Sequence, residues 1–160
     1  MISKYLTQSL IFNFFLLISF SISINNFVDI QVINYIFYVF FHLTFIYFLF
    51  YHYHYLFYFL GLLYGVLFDI FLINDISCHL FCFILLISIY ILLKKYLFLL
   101  TSYQISITIF ITLIASLLLE VIFAKIFNNI IFTTNQIIMY LTIAIIIFFP
   151  SIYLFDKLDK

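Results

Sequence analysis

Gly61-Leu-Leu-Tyr-Gly65-Val-Leu-Phe-Asp69 contains the only two glycines of the chain, four residues apart, and an acid four residues further on. Residues four apart are neighbours on a helix surface, so Gly61, Gly65 and Asp69 share one slowly drifting stripe. The flanking residues are almost all apolar, which makes this helix a membrane span. In lipid, small residues let two backbones approach closely, and an acid is tolerated only against a partner or a wet cavity. The stripe is therefore the expected face on which other helices pack.

Composition supports the membrane reading. Of the 160 residues, 69% are hydrophobic and 8% charged, and the mean hydropathy is +1.36. A soluble domain carries about 25% charged residues, so this chain lacks the polar surface to cover a water-soluble globule. One transmembrane domain over residues 1–160 is expected, with no folded soluble domain. The net charge is zero, which gives no footing for nucleic-acid binding. The 25 Phe, 14 Tyr and exclusive use of Lys as the basic residue fit A/T-rich codon usage, so no single Phe is read as functional. Ser19-Phe20-Ser21 faintly imitates a signal-peptide cleavage site, but a first membrane span is the expectation.

A helix crosses the ~30 Å hydrocarbon core with about 20 mostly apolar residues. Polar interruptions then delimit six spans, at roughly 8–24, 33–50, 56–73, 77–93, 103–124 and 136–154. They are ended by Asn25-Asn26 and Asp29, by the Tyr51-His52-Tyr53-His54 cluster, by Asn74-Asp75, by Lys94-Lys95, by Lys125 with Asn128 and Asn129, and by the charged tail from Asp156. Lysine bias orients them. Lys4, Lys94, Lys95, Lys157 and Lys160 fall on one side and Lys125 alone on the other, which puts both termini in the cytoplasm. Asp69 and Glu120 then each lie about one turn, ~6 Å, inside the outer ends of spans three and five. Lys125 is the one lysine expected within snorkelling reach of Glu120. Pro150 removes a helical hydrogen bond and is expected to kink the last span.

The Gly61, Gly65, Asp69 run, the polar outward turn Asn74-Asp75-Ile76-Ser77, the fifth-span acid Glu120 and the late proline Pro150 before Asp156-Lys157 form a pattern. With the chain length and span count, it resembles the MreD family of bacterial rod-shape-determining inner-membrane proteins, in register over residues 30–157. Ser77 stands where the family's turn has its last glycine, and Gln31-Val32-Ile33-Asn34 stands where a proline commonly precedes the second span. The resemblance implies a non-enzymatic scaffold that binds MreC and, indirectly, MreB filaments, a RodA-type glycosyltransferase and its transpeptidase. Cell-shape maintenance through side-wall peptidoglycan synthesis is the implied role, and the lipid bilayer the implied surroundings. Members are also similar in fold to the substrate-binding subunits (S-components) of energy-coupling-factor transporters, which keeps a small-molecule carrier as the alternative.

On this reading Gly61, Gly65, Asp69, Glu120 and Pro150 act in helix packing or partner binding, and no cofactor, metal or catalytic residue is expected. Asp69 is either a polar clasp or partner contact, or an acid close enough to the headgroups to stay hydrated. Cys78, His79 and Cys82 carry metal-ligating atoms, but structural zinc takes four such ligands and no second cluster lies nearby in sequence. The cysteines are read as small packing residues. A proton relay would need groups across the whole membrane, and the inner half offers His42, His52 and His54 alone.

Overall fold

The structure is a computed structural model that describes residues 2–24, 31–52, 56–73, 78–97 and 99–159. The sequence breaks at Asn25-Asn26, Asp29, Tyr53-His54 and Asn74-Asp75-Ile76-Ser77, and the last residue Lys160, lie outside the described residues. The described chain is all helix and connections: α1 (Ile2–Ile24), α2 (Gln31–Tyr51), α3 (Leu56–Phe68), a π turn (Asp69–Ile73), α4 (Cys78–Leu97), α5 (Ser102–Asn128) and α6 (Thr134–Asp159). Four stretches are long and apolar enough to cross a membrane, namely Val32–Tyr51, Cys78–Leu97, Ser102–Asn128 and Thr134–Leu158. Ile11–Ile24 and Leu56–Leu72 are shorter apolar helices.

Two helix starts are written into the sequence by the same device. Thr101 and Gln104 form a capping box in front of α5, with each side chain bonded to the other's backbone N–H at 3.4 and 2.9 Å. Thr133 and Gln136 repeat it at the start of α6, at 3.4 and 2.9 Å. Each box satisfies two backbone donors that the first helical turn cannot pair. At its other end α5 stops on Asn129, whose φ of 54° is left-handed, and Ile130 N–H returns to the Ala124 carbonyl at 3.1 Å.

The bundle is organised around α2 rather than the glycine-bearing helix. Every residue from 41 to 49 is buried, because α1, α4, α5 and α6 all pack against this helix. Aromatic rings fill the space between: Phe12 of α1 stacks on Phe48 at 5.2 Å, and Phe45 meets Phe83 of α4 edge-on at 5.0 Å. The expectation that α3 is the common packing face is therefore corrected. Its stripe meets chiefly one neighbour, α4, while Leu62, Leu63, Ile70 and Phe71 are exposed.

Helix ends also move. The third span is α-helical to Phe68 and then widens into the π turn that starts at Asp69. The fifth runs to Asn128 and the sixth to Asp159, each a turn or so beyond the sequence reading. Pro150 lies inside α6, nine residues before its end, and is exposed. It does not end the helix, and it stands on the outward face rather than among the packing residues.

Candidate functional site

Both glycines are placed where α3 approaches α4. A Cβ on Gly65 would sit 2.7 Å from the Leu80 Cα, and one on Gly61 would sit 2.5 Å from Ile87 Cδ1. The first clash is with backbone and the second with the flexible tip of a side chain. One turn beyond Gly65, Asp69 closes the same contact. Its Oδ1 accepts the backbone N–H of His79 at 2.9 Å, and its Oδ2 accepts that of Leu80 at 3.1 Å. Asp69 therefore caps the start of α4 from a neighbouring helix, supplying the acceptors and negative charge that a helix N-terminus favours. His79 Nδ1 also lies 2.8 Å from Asp69 Oδ1, which fixes the ring. The acid is fully buried, so the hydrated-headgroup reading of Asp69 gives way to the polar clasp.

Glu120 stands eight residues before the end of α5, about 12 Å at 1.5 Å per residue. Its partners come from α2. Tyr38 O–H donates to Oε2 at 2.6 Å, and His42 Nε2 lies 2.6 Å from Oε1. Lys125 is exposed, and the snorkelling contact expected of it is replaced by this pair. His42 pairs across the bundle with Glu120. It reaches Glu120 from mid-helix, and its Nδ1 lies 3.0 Å from the Tyr38 carbonyl one turn back. A carbonyl oxygen only accepts, so Nδ1 carries a proton. The short Nε2–Oε1 contact then holds one further proton, on the imidazole or on the carboxyl, and the pair is neutral in either case.

Phe68 joins the two clasps. Its ring stacks on His79 at 5.5 Å and on His42 at 6.2 Å, and Phe83 stacks on His42 at 5.3 Å. Four titratable side chains from four helical segments are thus held in one apolar, aromatic frame. Asp69, Cys78 and His79 each present a potential metal-ligand atom within 4.8 Å of the others. The fold adds Asp69 to the sequence-adjacent pair, yet the carboxylate is engaged by N–H groups of α4 and His79 Nδ1 by the carboxylate. A cation would have to displace the helix cap, so these residues fit a hydrogen-bond cluster better than a metal centre. Cys78 and Cys82 are buried and not disulfide-bonded, and Cys82 Sγ points at the Ser116 carbonyl at 3.5 Å.

Beside the clasps lies a cavity of about 360 Å³. Tyr38, Cys78, His79 and Glu120 line it where it meets the clasps, and Asn34, Tyr35 and Tyr140 add further polar groups. Ile130 and Phe132, in the connection 129–133, also border it. The Asn34 Oδ1 is buried with no hydrogen-bond partner among the described residues. Sequence reading missed Tyr38, Asn34 and Tyr140, and it missed the role of His42. The usable signal was Tyr38 and His42 at i, i+4 on one helix face, inside an otherwise apolar span.

Fold and site together define an all-helical membrane protein with a buried polar cluster opening on a cavity. The chain matches no protein-family model, no curated protein and no solved structure.

Proposed function

We propose that this protein is a non-enzymatic scaffold of the MreD type. It crosses the bacterial inner membrane six times with both termini in the cytoplasm, and it binds MreC to help position side-wall peptidoglycan synthesis. The observation that carries the reading is how the Gly61, Gly65, Asp69 run is used. Its residues lock α3 to α4 by close backbone approach and by a capping carboxylate, so the motif behind the resemblance is architectural. The outward apolar face of α3, with Leu62, Leu63 and Phe71, suits lipid or the helix of a partner. A mild-detergent pull-down of the tagged protein from its native membrane, read by mass spectrometry, tests the proposal. Recovery of MreC with wall-synthesis enzymes is expected. Recovery of an ATPase pair with a transmembrane coupling subunit instead would overturn it.

The cavity favours a second reading, a small-molecule carrier or the substrate-binding subunit of a transporter. Its volume of about 360 Å³ falls within the roughly 300–1,000 Å³ of small-ligand pockets, and it pairs apolar walls with a few convergent polar groups.

A further inference from the structure

One side chain on the cavity wall has an unused polar atom. His79 is 6% exposed and lines the cavity. Phe68 covers one face of its ring at 5.5 Å. Asp69 Oδ1 lies 2.8 Å from Nδ1, and Cys78 Sγ lies 3.4 Å from the same nitrogen. The other ring nitrogen, Nε2, has no hydrogen-bond partner among the described residues, and it is not sealed in, since Asn34 Oδ1 is the one atom among them that is both buried and unpaired. Nε2 is therefore the ring's polar contact with the cavity. The Asp69 carboxyl holds the ring from its other nitrogen, so Nε2 is presented at a fixed position.

The surroundings select an uncharged ligand. The His42–Glu120 pair carries no net charge, and both Glu120 oxygens are already bonded. Asp69 directs its charge at the N–H groups that open α4. No lysine lines the cavity, and the chain has no arginine. A charged ligand of either sign would give up its hydration and meet no counter-charge. A hydroxyl suits Nε2, because one oxygen both donates and accepts and so pairs with that nitrogen in either tautomer. The rest of the wall is largely aromatic. Tyr140 is centred 4.7 Å from Tyr35, 6.0 Å from Tyr38 and 6.3 Å from Phe132, and Val121 adds an apolar side chain. Edge-on and offset packing on such rings favours a flat aromatic body.

We propose that this cavity binds a small, uncharged aromatic molecule of the phenol class, with its hydroxyl on His79 Nε2 and its ring against Tyr35, Tyr38 and Tyr140. The assignment rests on the small-molecule reading of the cavity and is independent of the scaffold reading, which the pull-down addresses separately.

The test uses the full chain in lipid nanodiscs, with empty nanodiscs as the blank for partitioning, and three probes of one shape: 2-naphthol, 2-methylnaphthalene and 2-naphthoate. Saturable binding of 2-naphthol is expected, at least about ten-fold tighter than that of 2-methylnaphthalene, with 2-naphthoate weakest. His79→Phe keeps a ring against Phe68 and the backbone N–H that Asp69 accepts, but removes Nε2. It is expected to bring 2-naphthol down to the affinity of 2-methylnaphthalene. Val121→Phe fills the cavity from α5, leaves His79 in place and is expected to abolish binding of every probe. Should His79→Phe not fold, the probe series and Val121→Phe decide. Equal affinity for 2-naphthol and 2-methylnaphthalene at a site blocked by Val121→Phe would overturn the hydroxyl assignment while leaving a small-molecule site. Tighter binding of 2-naphthoate, full 2-naphthol affinity in folded His79→Phe, binding that survives Val121→Phe, or no saturable binding of any probe would each overturn it as well.

Discussion

The two glycines look equivalent in sequence and are not equivalent in space. A methyl group on Gly65 meets the α4 backbone, which cannot move without carrying the Asp69 cap with it, whereas on Gly61 it meets Ile87 Cδ1, which can rotate away. Overpacking a tight contact costs about 1–3 kcal/mol. Gly65→Ala is therefore expected to destabilise the protein by about 2 kcal/mol and Gly61→Ala by less than about 1 kcal/mol. Reversible unfolding in mixed micelles measures both, and the opposite order would contradict the clasp. The stripe itself was legible, because spacing alone places Gly61, Gly65 and Asp69 on one helix face. What it faces was not legible. Asp69 is satisfied by backbone N–H groups of His79 and Leu80, and nearly every residue carries such a donor, so no residue type advertises it. Glu120 was hidden differently: its partners Tyr38 and His42 lie 82 and 78 residues away, and only the packing of α2 against α5 brings them together.

At the scale of elements, the helices themselves were legible from apolar runs broken by polar clusters, with Thr-x-x-Gln marking two of the starts at Thr101 and Thr133. The rank of the helices was not. The centre of the bundle is α2, which has no glycine and carries aromatic residues all round, so composition gave no preferred face; its burial follows from being packed by four neighbours. The π turn at Asp69–Ile73 was equally silent, since it arises where the chain adjusts to aim a carboxylate at the start of α4. Pro150 shows the converse, a conspicuous residue in an undemanding place. Its missing N–H leaves the Ile146 carbonyl without its i+4 donor, and both residues are exposed on α6. The buried side of that helix is made by Ala144, Phe148, Ser151 and Phe155. Pro150→Ala is expected to raise stability by up to about 1 kcal/mol through the restored hydrogen bond, with no change in the packing of Phe148 and Phe155. A lower unfolding temperature in the variant would show that the proline shapes the bundle after all.

For the whole molecule, the arrangement of chemistry along the membrane normal is the feature with most consequence. The two clasps, the cavity and the 129–133 connection cluster toward one end of the bundle, while Lys94 and Lys95, in the last turn of α4, mark the other end of that helix. If lysine bias sets the orientation, the cavity opens to the outer face, and the scaffold and carrier readings both depend on that side being correct. Two exposed loop positions report it directly. Leu99 is 82% exposed in the α4–α5 connection, and Ile131 is 78% exposed in the connection beside the cavity. The native Cys78 and Cys82 are buried, so they contribute little background to thiol labelling. In right-side-out vesicles, Ile131→Cys is expected to react with a membrane-impermeant maleimide and Leu99→Cys to stay unlabelled; in inverted vesicles the pattern should exchange. Labelling of Leu99→Cys from the outside would turn the bundle over, place the cavity on the cytoplasmic side, and leave a ligand or partner on the outer side without access to the cavity.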